Sequence, residues 1–439
     1  MTTTVKNDAP GAANKPTSGD GARFAKSALL LFLALRAGDA VSLAAGMWFV
    51  PRYVSPEDIG AVLPVTSFAT FLSLPVFALA MAVMKESAVL AANGERGRVK
   101  SLLCGVFVAV GAALAAVLLV AAAAVPRYLD LMRVSDASVG FLVVAAAFLG
   151  CVAPVYTDAL QSLRRFGALS AVEVAGACVR FATMLAVMPM RALAGYFAGQ
   201  AALPAFRIMG SVVALRKDLS VKTEPYWNRE SARRLGLAFL AILAYQVAPM
   251  AASLVEQTVM RTTLSAADSA GYYMASRFSD FLSYLTFPLL LVMFPYTAAA
   301  AARRDSTRPF VLKCCIVTLA VAAAMSIAYS LFGVRLLALM PHGSDYAAHA
   351  VYMPWLTLAG AMTTCQVFYT NAEVSAGRFG FLWWLAPLHV VYSAAIATAA
   401  KCGLIRDMTT MVMWLVAASV ARFAFAAFAA RDDSAARRT

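Results

Sequence analysis

The chain has 439 residues, of which 62% are hydrophobic and 14% charged, against about 45–50% apolar and about 25% charged in an ordinary soluble domain. That balance excludes a soluble globular enzyme. The formal net charge of +14 is distributed between apolar runs, a pattern of membrane topology and attraction to anionic lipid headgroups, and no nucleic-acid partner is expected.

Residues 1–22 are small, polar and rich in Gly and Pro, and read as a disordered tail, with no cleavage site that would make them a signal peptide. From there, apolar runs long enough to cross a hydrocarbon core of roughly 30 Å recur along the chain. The spacing predicts twelve helical spans: 27–50, 59–84, 101–125, 138–160, 168–189 and 192–215, then 235–258, 270–300, 310–333, 346–370, 380–400 and 408–430. The short alternating segments of a membrane barrel are not seen. The fold class expected is an all-α polytopic membrane protein.

Lys and Arg concentrate in alternate connections, which places both termini and the basic segment 216–235 on the cytoplasmic side. That segment divides the spans six and six. The expected organisation is a tail (1–22), an N-lobe (23–215), a linker (216–235), a C-lobe (236–430) and a second tail (431–439).

The halves carry an internal similarity at one offset of 210 residues. Ser55–Asp58 matches Ser265–Asp268 as Ser-x-x-Asp before a span, and "FATFLS" from Phe68 matches "FSDFLS" from Phe278. Six spans per half is an even number, so the halves share one orientation. Two parallel six-helix lobes around a central cavity follow.

Polarity repeats with the offset. Thr66, Thr70 and Ser73 share one helical face, and their counterparts are Ser276, Asp280 and Ser283, with Tyr273, Arg277 and Tyr284 widening the second stripe. In span 1, Arg36 and Asp39 stand one turn apart, continued by Ser42 and Gly46. Arg36 corresponds to Gln246 in span 7, whose face continues through Pro249, Ser253 and Glu256. Spans 1, 2, 7 and 8 are therefore placed around the cavity.

A charge at the bilayer centre costs roughly 2.5–3.5 kcal/mol on insertion scales, so each one needs a setting. For Arg277 with Asp280 and Arg36 with Asp39, two readings stand side by side: a clasp between helices, or a pair that orients a guanidinium toward a ligand. Arg180 and Glu173, seven residues apart on one face, read as a structural pair. Arg207 and Arg422 read as snorkelling side chains, and Glu256 as solvated near a span end.

The seven cysteines show no metal spacing and the three histidines no nucleophile or metal partner, so no cofactor and no metal are expected. No phosphate-binding loop is present.

The stretches "YVSPEDIGAVLPVTSFATFLSL" and "LSAADSAGYYMASRFSDFLSYLTFPLLLVMFP" resemble the polysaccharide (Wzx-type) flippases of the MOP superfamily, relatives of peptidoglycan lipid flippases and MATE exporters. Gly271, Tyr272, Tyr273, Arg277, Phe294 and Pro295 occupy the places of that motif. The first half departs from it, with Ala61 and Val62 where the second has Gly271 and Tyr272. The resemblance implies an alternating-access transporter, not an enzyme, in a bacterial cytoplasmic membrane. It would carry an undecaprenyl-diphosphate-linked glycan outward, with the polymerase and glycosyltransferases of the same pathway as partners. The substrate-binding residues it and the polar stripes imply are Arg36, Asp39, Thr70, Gln246, Tyr273, Arg277 and Asp280. Two alternatives are a MATE-like cation-coupled exporter and a membrane-embedded polymerase or glycosyltransferase, the latter disfavoured by short outer loops.

Overall fold

The computed structural model describes residues 33–435 apart from 93, 164, 303–305 and 376–377. The tail 1–22, the start of the first predicted span and residues 436–439 lie outside the described residues. Those described form twelve long helices and no strand. In chain order they are α1 (Leu33–Tyr53), α2 (Pro56–Ala92), α3 (Arg96–Leu131), α4 (Ala137–Ser162), α5 (Phe166–Val187), α6 (Ala192–Leu215), α7 (Arg229–Thr263), α8 (Ala266–Ala302), α9 (Arg308–Ala338), α10 (Met353–Ser375), α11 (Leu382–Lys401) and α12 (Met408–Ala435). Each falls on one predicted span. Nine of them are long and apolar enough to cross a membrane, counted over the described residues.

Local sequence explains where helices start. Ser55 Oγ accepts the Asp58 N–H at 3.2 Å and donates to its carboxylate at 3.0 Å, and Ser265 does the same for Asp268 at 3.0 and 2.8 Å. The repeated Ser-x-x-Asp is thus a helix-capping device used once per half. It launches two helices of 37 residues each, α2 and α8, about 55 Å long. Helix α7 begins earlier than the sequence predicts. Asn228 and Ser231 form a reciprocal capping box, so the last residues of the predicted linker are already helical.

Helix α1 is not regular. Residues Ala45–Phe49 form a π turn just before Pro51. Proline supplies no N–H, and the Val50 N–H bonds back to the Ala45 carbonyl, five residues away instead of four. The Gly46 carbonyl, its ordinary partner, is released to accept from elsewhere.

Packing repeats between the halves. In the first, α2 packs on α3 and α4, α4 on α3 and α6, and α5 on α6; in the second, α8 packs on α9 and α10, α10 on α9 and α12, and α11 on α12. Between the halves, α2 lies along α7 and α8, and α1 touches α8. These are the four helices that the sequence places around the cavity.

The apolar core shows which end is closed. At the end opposite the 216–228 linker, one core runs through both lobes, including Val54, Val62, Val139, Phe197, Met260, Tyr273 and Met353. At the linker end there are two separate cores, one built around Val83, Leu102 and Leu160, the other around Met293, Cys365 and Phe368. Apart from the first turns of α7, which pack into the N-lobe core, the lobes are joined at the far face and part toward the linker face, so the cleft between them opens there. The linker itself is tied to the N-lobe. Lys100 Nζ donates to the Val221 carbonyl at 2.9 Å, and the Tyr226 hydroxyl and Arg234 guanidinium both reach the Glu86 carboxylate, at 2.9 and 2.7 Å. Burial, and then that carboxylate, pushes the Tyr226 hydroxyl up to about 12.

Candidate functional site

The charges in α1 and α8 face one another across the lobe boundary. Arg277 and Asp280 pair at 3.1 Å and Arg36 and Asp39 at 2.7 Å, each one helical turn apart. All four side chains are half-buried. Each guanidinium also engages a tyrosine of α8: Arg277 lies 5.2 Å from the centre of the Tyr273 ring, and Arg36 5.8 Å from that of Tyr284, whose backbone carbonyl it also reaches at 3.2 Å. Cation–π contact supports an arginine without neutralising it. Tyr273, fully buried, donates its hydroxyl to the freed Gly46 carbonyl at 3.1 Å. A backbone irregularity of α1 thereby holds the tyrosine that backs Arg277.

Helices α5 and α6 add to this wall, and here the sequence expectation is corrected. Glu173 pairs with Arg207, not with Arg180. Seven residues along a helix is a rise of about 10.5 Å, more than an arginine and a glutamate on one face can bridge, whereas α6 brings Arg207 alongside. Arg207 is therefore an ion-pair partner and not a snorkelling side chain. Arg180 instead donates to the Ser42 hydroxyl of α1 at 3.0 Å. These contacts link α1, α5 and α6 and, through the α1–α8 contacts above, bring Arg36, Arg180, Arg207 and Arg277 to one wall, three of them paired with a carboxylate.

Of the predicted site residues, Arg36, Asp39, Tyr273, Arg277 and Asp280 come together. Thr70 is exposed, its hydroxyl bonded to the Thr66 carbonyl at 2.9 Å, and Gln246 is half-buried with no hydrogen bond among the described residues; neither bonds to the arginine group. The polar stripe of α2 leaves the cleft at Ser73, which bonds the Ala147 carbonyl of α4 at 3.2 Å.

A second polar group lies inside the C-lobe. The Tyr392 hydroxyl donates to Glu256 at 2.9 Å, and the Arg422 guanidinium stands 5.0 Å over the Tyr392 ring while bonding Ser419 Oγ at 3.2 Å. Arg422 is 8% exposed, so it does not snorkel, and Glu256 is held by tyrosine rather than solvated. Three helices, α7, α11 and α12, meet to make this group, which one helix's sequence does not display. No group of three His, Cys, Asp or Glu with metal-binding placement occurs among the described residues.

The far-face seal is a close helix crossing. A Cβ on Gly60 of α2 would lie 2.6 Å from the Ser269 Cβ of α8, so only glycine permits this approach. Around it, the Arg261 Nε donates to the Met132 carbonyl at 3.2 Å, Ser67 bonds Gln257, and Tyr128 bonds Thr258 at 2.9 Å.

No family model and no curated protein matches the sequence. Solved structures do match the fold. A multidrug-resistance MATE family transporter of the MOP superfamily, captured inward-facing, superposes with a TM-score of 0.64 at 14% identity, covering 93% of this chain and 99% of that one. A MOP superfamily transporter from Pyrococcus furiosus, described as having a binding pocket of reverse polarity, gives 0.62 at 14% identity, covering 94% and 96%. The lipid II flippase MurJ, inward closed, gives 0.63 at 11% identity, covering 92% and 87%. The chain shares the fold of these structures: all-α, polytopic, with two six-helix lobes around a central cavity. These neighbours are transporters and flippases, not enzymes.

Proposed function

We propose that the protein is a flippase for a lipid-linked oligosaccharide, carrying an undecaprenyl-diphosphate-linked glycan from the cytoplasmic to the outer leaflet of a bacterial inner membrane. The observation that carries this reading is the set of four guanidiniums, Arg36, Arg180, Arg207 and Arg277, gathered in a cleft that opens on the linker face. Guanidinium forks match the oxygens of a diphosphate. Arg36 and Arg277, on helices from opposite lobes, grip the headgroup from two sides, the glycan fills the cleft and the prenyl chain stays in lipid. A sealed far face and an open linker face suit loading from the cytoplasmic side, with the basic connections gathering anionic substrate.

The fold alone also accommodates a cation-coupled exporter of small organic molecules. That reading wants an acidic group available to a cation: Asp39, Asp280 and Glu173 are each already held by an arginine, and Glu256, bonded to Tyr392 inside the C-lobe, is the carboxylate it would use. Purified protein in liposomes, loaded with a fluorescent lipid-linked glycan on one side and a cationic dye in a parallel sample, separates the two. Movement of the glycan between leaflets without dye transport is expected. Dye transport driven by a Na⁺ or H⁺ gradient, with the glycan static, overturns the proposal.

A further inference from the structure

Three of the four wall arginines have a carboxylate within bonding distance, and a ligand oxygen has to compete with it. Arg36 has Asp39, Arg277 has Asp280 and Arg207 has Glu173. Arg180 differs. Its hydrogen bond goes to a neutral group, the Ser42 hydroxyl; a buried Nε without an acceptor is a feature it shares with Arg207 and Arg277, so the neutral partner is what sets it apart.

We infer that Arg180, with Ser42 beside it, is the group that receives the phosphoryl oxygens of the ligand, and that Arg36 and Arg277 flank it. Ser42 accepts from Arg180, so its own hydroxyl hydrogen is left to donate to a ligand oxygen. The Tyr284 hydroxyl, on the ring that backs Arg36, makes no hydrogen bond among the described residues and supplies another donor. A guanidinium with a hydroxyl beside it presents several N–H donors and an O–H donor to the oxygens of a phosphate or diphosphate. Asp39 and Asp280 then act as placeholders: they keep Arg36 and Arg277 oriented while the site is empty. This inference rests on the flippase reading, since it names the residue that meets the anionic headgroup.

The test uses the full chain in detergent, with inorganic pyrophosphate and farnesyl diphosphate as probes and the thermal unfolding midpoint followed against probe concentration. Both probes should stabilise the wild type, farnesyl diphosphate at lower concentration if the site takes a lipid headgroup. Arg180→Gln should weaken both by about ten-fold or more, the size of a lost charge-assisted hydrogen bond. Ser42→Ala should weaken them several-fold, and Arg406→Gln, in a far-face loop, should leave them unchanged. If Arg180 only ties α5 to α1, Arg180→Gln lowers the probe-free midpoint and leaves affinity alone, which overturns the inference. Should Arg180→Gln fail to fold, Arg180→Lys and Ser42→Ala decide, and unaltered affinity in both overturns it. A wild type that binds neither probe removes the flippase reading as well, whereas tight binding untouched by Arg180→Gln removes only the role of Arg180.

Discussion

The Tyr273 hydroxyl and the Gly46 carbonyl, 227 positions apart in the chain, meet at 3.1 Å across the lobe boundary. Each end has a cause in sequence. Pro51 and the π turn free the carbonyl, and the capped start of α8 carries Tyr273 to its level. The bond lies between the sealed far face and the arginine wall, so it joins the gate to the site.

Tyr273→Phe tests that link. The ring stays, so Arg277 keeps its aromatic support, but a buried carbonyl loses its donor at a cost of about 1–3 kcal/mol. A lower unfolding midpoint is expected, together with faster labelling from the far face of a cysteine placed at the buried Ala275. Equal stability and equal labelling would show that the bond holds nothing closed.

Gly60→Val places atoms inside the α2–α8 crossing at Ser269. Overpacking of this kind costs about 1–3 kcal/mol, and relief requires the two helices to part. The far face should become permeable to thiol reagents while the linker-end cores, distant from the change, keep their packing. A variant as tightly sealed as wild type would mean that Ser269 yields instead.

The parts of this structure legible in sequence are those written within one helix. Span positions follow from hydropathy alone, and the pairs Arg36–Asp39 and Arg277–Asp280 are visible because each is one turn apart in an apolar run. Ser-x-x-Asp, repeated at one offset, is legible as a helix start. Arg180, Arg207 and Glu173 are not, because each is a single polar residue among apolar neighbours and its partner is fixed by packing of α5 against α1 and α6. The Glu256–Tyr392–Arg422 group is hidden for the same reason. Pro51 is plain in the sequence, yet the π turn it accompanies depends on Tyr273 to satisfy the freed carbonyl.

Orientation is a separate expectation, drawn from the bias of Lys and Arg. Single cysteines at Lys222, exposed in the linker, and at Ser135, exposed in the loop between α3 and α4, report it in intact cells once the native cysteines are replaced. A membrane-impermeant reagent should modify position 135 and spare 222. The reverse pattern would invert the molecule and make the cleft open outward.

The central claim is that the cleft guanidiniums grip the substrate, and the pair in α8 tests it most directly. Flipping of a fluorescent lipid-linked glycan in proteoliposomes is measured for wild type, Arg277→Lys and Arg277→Ala/Asp280→Ala, with the unfolding midpoint of each. Removing both charges avoids leaving an unpaired carboxylate, so the double variant should fold and yet move little or no glycan. Arg277→Lys should also be impaired, because an ammonium cannot form the bidentate fork. Wild-type flipping by a stable Arg277→Ala/Asp280→Ala protein would contradict the account and reduce the pair to a clasp between helices.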